Sequence, residues 1–129
     1  MRRVVVTGLG AVTPIGNNVT EYWNGLVSGV NGIAPITHFD TTESKCKLAA
    51  EVKNFDPSAV LDKGTVRKTD LYTQYALVSA DEAMQDSGIA GTVAEEELGV
   101  YFGSGVGGID TTMENHAVLL AGGPKKFSP

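Results

Sequence analysis

Four glycines stand within residues 103–108 of the stretch YFGSGVGGID, directly after an apolar run. Gly103, Gly105 and Gly108 have the GxGxxG spacing of a dinucleotide-binding loop, whose glycines let backbone approach a pyrophosphate at a helix N-terminus. That chemistry also needs an acid about 20 residues further on to hold the ribose. No Asp or Glu follows Glu114. A second glycine loop, TGLGAVTPIG, has Gly8 and Gly10 at the right spacing, but Thr13 takes the third position and Pro14 stiffens the expected helix start. Neither loop has the lysine and hydroxyl of a phosphate-cradling P-loop. A nucleotide-binding α/β protein is therefore the weaker reading. Glycines also serve where backbone must pass close to a neighbour or turn at positive φ. Four in six residues fit close packing against a partner chain or a slender ligand.

The other residue types that could do chemistry are few. Cys46 lies between Lys45 and Lys47 in SKCKLAA, where two ammonium groups could favour its thiolate. No glycine-framed turn or helix start exposes it, so it reads as structural or incidental. His38, in ITHFD, falls in an irregular stretch and suits a loop hydrogen bond. His116, in ENHAV, sits in a helical pattern and suits packing or a subunit contact. The three are far apart, with no spacing that suggests a triad. A single cysteine forms no internal disulfide, and no Cys/His cluster suggests a metal site. No catalytic residue and no metal ligand is assigned.

Composition narrows the classes. The 129 residues are about the size of one ordinary domain, and 42% hydrophobic with 19% charged residues is the balance of a globular chain. Net charge is −5 and no long basic tract is present, which argues against nucleic acid as a partner. No apolar run approaches the roughly 20 residues that span a bilayer. The run in MRRVVVTGLG is shorter than the about 7–15 residues of a signal-peptide core. A reducing cytoplasm is the expected location.

These candidates must be positioned by alternating elements. RVVVTG (3–8) and LGVYFGSG (98–105) read as buried strands, and KLAAEV (47–52) as a weaker one. NNVTEYWNGLVSG (17–29) reads as a helix capped by Asn18 and stopped by Gly29. TDLYTQYALVSADEAMQDSG (69–88) is the strongest helix, capped by Thr69 or Asp70 and ended by Gly88, with Leu71, Tyr75, Val78, Ala76, Ala83 and Met84 on its buried stripe. DTTMENHAVLLAG (110–122) reads as a last helix, capped by Asp110 and stopped by Gly122. The alternation predicts an α/β fold with a mostly parallel sheet. Two or three strands make a poor parallel sheet alone, which predicts that the chain is part of a larger fold.

RRVVVTGLGAVTPIGN, RKTDLYTQYALVSADEAMQDSGI, FGSGVGG and ENHAVLLAGGPKKFSP, in that order, resemble the elongating β-ketoacyl-[acyl carrier protein] synthases, most closely their synthase II branch. The resemblance runs along the whole chain. It implies a thiolase-like fold of five α-β-α-β-α layers in a homodimer, with residues 1–129 forming the N-terminal part of the first half. It implies an acyltransferase of fatty-acid synthesis that joins malonyl carrier protein to an acyl thioester by decarboxylative Claisen condensation. No metal or organic cofactor is implied, because the carrier protein brings its own phosphopantetheine arm. The family's cysteine nucleophile, two histidines and lysine match nothing in residues 1–129, so the chain by itself is expected to be inactive. A non-catalytic interaction module of the same fold is the alternative.

The same resemblance assigns site residues. Gly105, Val106, Gly107 and Gly108 would lie near the acyl pocket and the subunit interface, with Val106 as the side chain that gates chain length. Met113, Leu119 and Leu120 would be candidates to bury against the partner. Carrier proteins are acidic, so their docking face needs basic side chains. Lys63, Arg67 and Lys68, before the long helix, and Lys125 and Lys126, in GPKK, would supply them.

Overall fold

The structure is a computed structural model that describes residues 3–123. Its elements are α1 (Val19–Val27), β1 (Ala34–Pro35), β2 (Leu48–Ala49), α2 (Lys63–Lys68), α3 (Leu71–Ser87) and α4 (Ile109–Gly122), with 3₁₀ turns at Pro57–Ala59 and Glu95–Glu97. The three long helices form where the sequence pattern predicts them, but of these only α1 has a side-chain cap. The Asp70 side chain makes no cap bond to α3, and α4 starts after Gly108, which places the expected cap Asp110 inside the first turn. Asn18 caps α1 by accepting from the Glu21 amide at 2.8 Å, while the Glu21 carboxylate accepts from the Asn17 amide at 2.8 Å. The two groups thus satisfy donors that the first helical turn leaves unpaired. Gly88, at φ 61, ends α3 in the left-handed conformation that a side chain disfavours.

The strands differ from expectation. Residues 3–8 and 98–105 form no hydrogen-bonded strand, and their apolar side chains are exposed: Val4 92%, Val6 80%, Val100 75%, Tyr101 98%. A helix satisfies its backbone within its own segment, but a strand exists only when another segment pairs with it. Neither run pairs here. The expected parallel sheet is not present among the described residues. The one sheet is an antiparallel contact of β1 with β2, Ala34 opposite Ala49 and Pro35 opposite Leu48. KLAAEV therefore contributes two strand residues rather than six.

What holds the N-terminal segment is α3. The Glu82 carboxylate accepts from the Ala11 amide at 2.9 Å and from the Val19 amide at 2.8 Å. Asp86, one turn on, accepts from the Leu9 amide at 2.9 Å. These bonds draw residues 8–11 onto the small-residue face of α3. A Cβ at Gly8 would meet Ser87 N at 2.6 Å, and one at Gly10 would meet the carbonyl carbon of Ser79 at 2.8 Å. The N-terminal glycine loop is therefore a backbone-on-helix contact. Phe55 adds a second layer, edge-on to Tyr75 with ring centroids 4.8 Å apart, in the T-shaped geometry aromatic pairs favour.

No apolar side chain among the described residues is fully buried. The expected stripe of α3 is half-buried at Tyr75, Ala76, Val78, Ala83 and Met84, and Leu71 is exposed. The buried side chain is polar: Gln74, at 7% exposure. Gly10→Ala forces a methyl into a backbone contact and should lower stability by about 1–3 kcal/mol, the usual cost of overpacking. A urea unfolding midpoint equal to that of the unsubstituted protein would contradict the contact.

Candidate functional site

Two features predicted to act in binding, the basic cluster and the glycine loop, meet at the start of α3. The basic cluster is α2. Six residues are too few for a helix to persist on propensity alone, so its two ends explain it. At the N-terminus Asp62 accepts from the Gly64 amide at 2.7 Å, the Thr65 amide at 3.1 Å and the Thr65 hydroxyl at 2.6 Å. These bonds, the Thr65 hydroxyl foremost, hold the Asp62 carboxyl below its ordinary range. At the C-terminus Gln74 Nε2 donates to the carbonyls of Val66 at 3.0 Å and Thr69 at 2.9 Å, and Thr69 Oγ1 donates to Thr65 O at 2.7 Å. Lys63, Arg67 and Lys68 are all exposed. Arg67 and Lys68 occupy the last turn, where positive charge suits the helix dipole.

The glycine loop is not uniformly close-packed. Gly103 and Gly105 have open space where a side chain would stand. Gly107 does not, since a Cβ there would come within 3.0 Å of the Tyr72 hydroxyl and ring. Gly108, at φ 61, starts α4 and lies directly against the Asp70 carboxylate, which also accepts a hydrogen bond from the Thr111 hydroxyl. Val106 is 71% exposed and lines a cleft of about 190 Å³ with Tyr72, Gly108 and Ile109. A larger apolar groove of about 630 Å³ runs beside it, between α3 at Tyr75 and Ala76 and the unpaired segment at Val100 and Phe102. Gly107 and Gly108 thus pack against side chains of α3, whereas a Cβ at Gly103 or Gly105 would meet nothing within 4 Å.

This geometry also bears on nucleotide binding. In a dinucleotide fold the pyrophosphate sits at the helix N-terminus after the glycine loop. Here the anionic Asp70 already stands at the N-terminus of α4. A phosphate would meet a like charge.

No hydrogen bond links Cys46, His38 and His116 to one another. Cys46 is exposed, its thiol donating to Leu48 O at 3.3 Å. His38 is exposed and lies 3.9 Å from Glu51, whose carboxylate also accepts from the Thr37 hydroxyl at 2.7 Å and is held below its ordinary range chiefly by that bond. His116 is exposed on α4, as are Met113, Leu119 and Leu120. Among the described residues no group of three or more His, Cys, Asp or Glu is placed to hold a metal. No described helix is long and apolar enough to cross a membrane. Lys125 and Lys126 lie outside the described residues.

Residues 1–129 match the family described as Beta-ketoacyl synthase, N-terminal domain. The chain belongs to the β-ketoacyl synthase family. It is similar to the 3-oxoacyl-[acyl-carrier-protein] synthase 2 of Coxiella burnetii, 46% identical over 129 residues that make up 99% of this chain and 31% of that protein. The protein of the same name from Synechocystis is 40% identical over the same shares. The chain thus spans about a third of the length of the curated relatives it matches. Among solved structures it resembles the ishigamide ketosynthase/chain length factor, with a TM-score of 0.77 and 33% identity over 99% of this chain and 32% of that one. It also resembles a type II polyketide ketosynthase bound to a hexaketide and in complex with its acyl-carrier protein, with a TM-score of 0.77 and 25% identity over 97% of this chain and 34% of that one. The family's solved neighbours are ketosynthases, and the arrangement seen here is part of that fold.

Asp70, Gln74, Glu82 and Asp86 carry much of the geometry but were not singled out by sequence as site-forming. Gln74 alone left a signal, a polar residue between Leu71 and Tyr75 on a stripe otherwise read as apolar. The cap at α2 gives a pH test. A carboxyl whose pKa is lowered on folding contributes stability above its ordinary value, and that stability is lost as pH falls through the folded value. An NMR titration should place Asp62 below its ordinary 3.8, with protection of the Gly64 and Thr65 amides lost through the same range. A midpoint above that value would contradict the cap.

Proposed function

We propose that the protein containing this chain is a fatty-acid chain-elongating condensing enzyme. The observation that carries the reading is the match of residues 1–129 to the β-ketoacyl synthase family, with relatives named 3-oxoacyl-[acyl-carrier-protein] synthase 2 at 40–46% identity. In the reaction an enzyme thiolate displaces the carrier thiol from an acyl thioester and forms an acyl-enzyme. Malonyl carrier protein then loses carbon dioxide, and the electron pair left on its methylene carbon attacks the acyl carbonyl. The enzyme thiolate leaves, and the 3-oxoacyl chain remains on the carrier. Positioned donors stabilise the enolate and the tetrahedral oxyanion. Cys46, His38 and His116 are not assigned these roles: Cys46 and His38 lie exposed in the β1–β2 connection, and His116 lies exposed on α4. Residues 1–129 form the N-terminal part of the first of two thiolase-like halves. The protein is a cytoplasmic homodimer that needs no resident cofactor.

This chain's part is binding. Lys63, Arg67 and Lys68 face solvent from a short helix fixed at both ends, a preorganised set of positive charges for an acidic carrier. Lys125 and Lys126 extend this role. Val106, between glycines beside an apolar cleft, sets how long an acyl chain passes.

Reversing both charges, Arg67→Glu with Lys68→Glu, should raise KM for carrier-bound substrate by about tenfold or more, as loss of two complementary charges does. Small thioester analogues should be used as before, and an equal effect on both substrates would contradict docking. Val106→Phe should shorten the accepted acyl chain, read as the ratio of kcat/KM for long and short acyl carriers. An unchanged ratio would contradict the gating role.

A further inference from the structure

We propose that Asp70 is a positioning residue for the Val106 loop, and that the first turn of α3 is the common support of that loop and of the basic helix α2. The functional half of this inference rests on the reading of Val106 and α2 given above. The positional half rests on geometry alone.

An aspartate at a helix N-cap ordinarily accepts from its own helix's second or third amide. Asp70 stands at that position of α3 with extended backbone, φ −68 and ψ 158, yet its side chain makes no bond to α3. Its backbone carbonyl serves the helix instead, accepting from the amides of Thr73 at 3.0 Å and Gln74 at 3.1 Å. The carboxylate is thereby free to reach a segment 41 residues away. One oxygen accepts from the Thr111 hydroxyl in the first turn of α4. The other lies against Gly108, where any Cβ would displace it. A negative group at the start of α4 also suits that helix's dipole.

Tyr72, two residues on, covers Gly107 from the same turn of α3. Gly107 and Gly108 are thus held, while a Cβ at Gly103 or Gly105 would meet nothing within 4 Å. Val106 is the residue directly before the anchor, so the orientation of its side chain follows from where Asp70 and Tyr72 fix the backbone. From the same turn, Gln74 closes the last carbonyls of α2 onto α3. One helical turn therefore carries a buried amide aimed at the basic helix and a carboxylate aimed at the glycine loop.

The test uses the complete synthase with four substitutions, Asp70→Ala, Asp70→Asn, Thr111→Val and Val106→Phe. Hydrogen exchange reads the loop, and the long-to-short acyl kcat/KM ratio reads its function. Asp70→Ala should speed exchange of the amides from Gly107 to Thr112 about tenfold, as loss of one charge-assisted hydrogen bond gives, with α1 unaffected. Asp70→Asn, which keeps an acceptor oxygen for Thr111, should restore most of the protection and the acyl ratio. Thr111→Val should reproduce Asp70→Ala, and the double variant should add little to either, the mark of a direct pair. Should Asp70→Ala fail to fold, Thr111→Val carries the test, since it removes only a hydroxyl from an exposed residue. Unchanged loop exchange in Asp70→Ala or Thr111→Val, or additive effects of the two, overturns the proposal. If Val106→Phe leaves the acyl ratio unchanged while Asp70→Ala loosens the loop, the gating reading falls and the positioning role stands. If Val106→Phe shifts the ratio while neither Asp70→Ala nor Thr111→Val moves ratio or exchange, Asp70 falls alone.

Discussion

The N-terminal segment, the basic helix α2 and the start of α4 all depend on one helix, α3, and on the carboxylates and amide it turns toward them. Glu82 and Asp86 hold three backbone amides of the N-terminal segment at 2.8–2.9 Å. Residues 8–11 would otherwise have to find those partners in a sheet, because backbone donors taken from water need an acceptor. The glycines at 8 and 10 are a consequence of that arrangement, since the carboxylates draw the backbone to where a side chain would strike Ser79 or Ser87. At the other end of α3, Asp70, Tyr72 and Gln74 fix α4, the glycine loop and α2. A single rigid element thus orients the segments assigned to carrier docking and to the acyl passage.

Polar fixing has this weight because apolar burial supplies so little. Tyr101, Phe102, Val4 and Val6 are exposed, and the groove between α3 and residues 100–104 is apolar and open. Contiguous exposed apolar surface of this kind marks a face that another part of a molecule covers. That agrees with a chain that aligns with about a third of its relatives' length. It also fits the parallel-sheet logic, in which strands are covered on both faces.

The sequence was legible wherever structure is local. The helices at 19–27, 71–87 and 109–122 follow from Asn18, Gly29, Gly88 and the apolar spacing, because caps and stops act within one turn. The strands were not, because RVVVTG has the composition of a buried strand whether or not a partner lies beside it. The antiparallel contact of Ala34 with Ala49 was equally silent, being set by a loop rather than by periodicity. At the site, the basic cluster of Lys63, Arg67 and Lys68 was visible in sequence and is exposed, whereas the contacts of Gly107 and Gly108 with Tyr72 and Asp70 were not. Asp70 looked like an ordinary cap. Nothing in the spacing of Glu82 and Asp86 says that the backbone at 9–19 lies across from them.

The Asp70 carboxylate at the start of α4 gives the physical reason a phosphate is unwelcome at the 103–108 glycine loop. The most direct test of the account is to supply the complete protein with malonyl and acyl carrier proteins and follow both products by mass spectrometry. The account requires carbon dioxide released in equal amount to a 3-oxoacyl carrier protein, with no nicotinamide nucleotide present. Failure to form that product, together with saturable binding of a nicotinamide nucleotide, would contradict it.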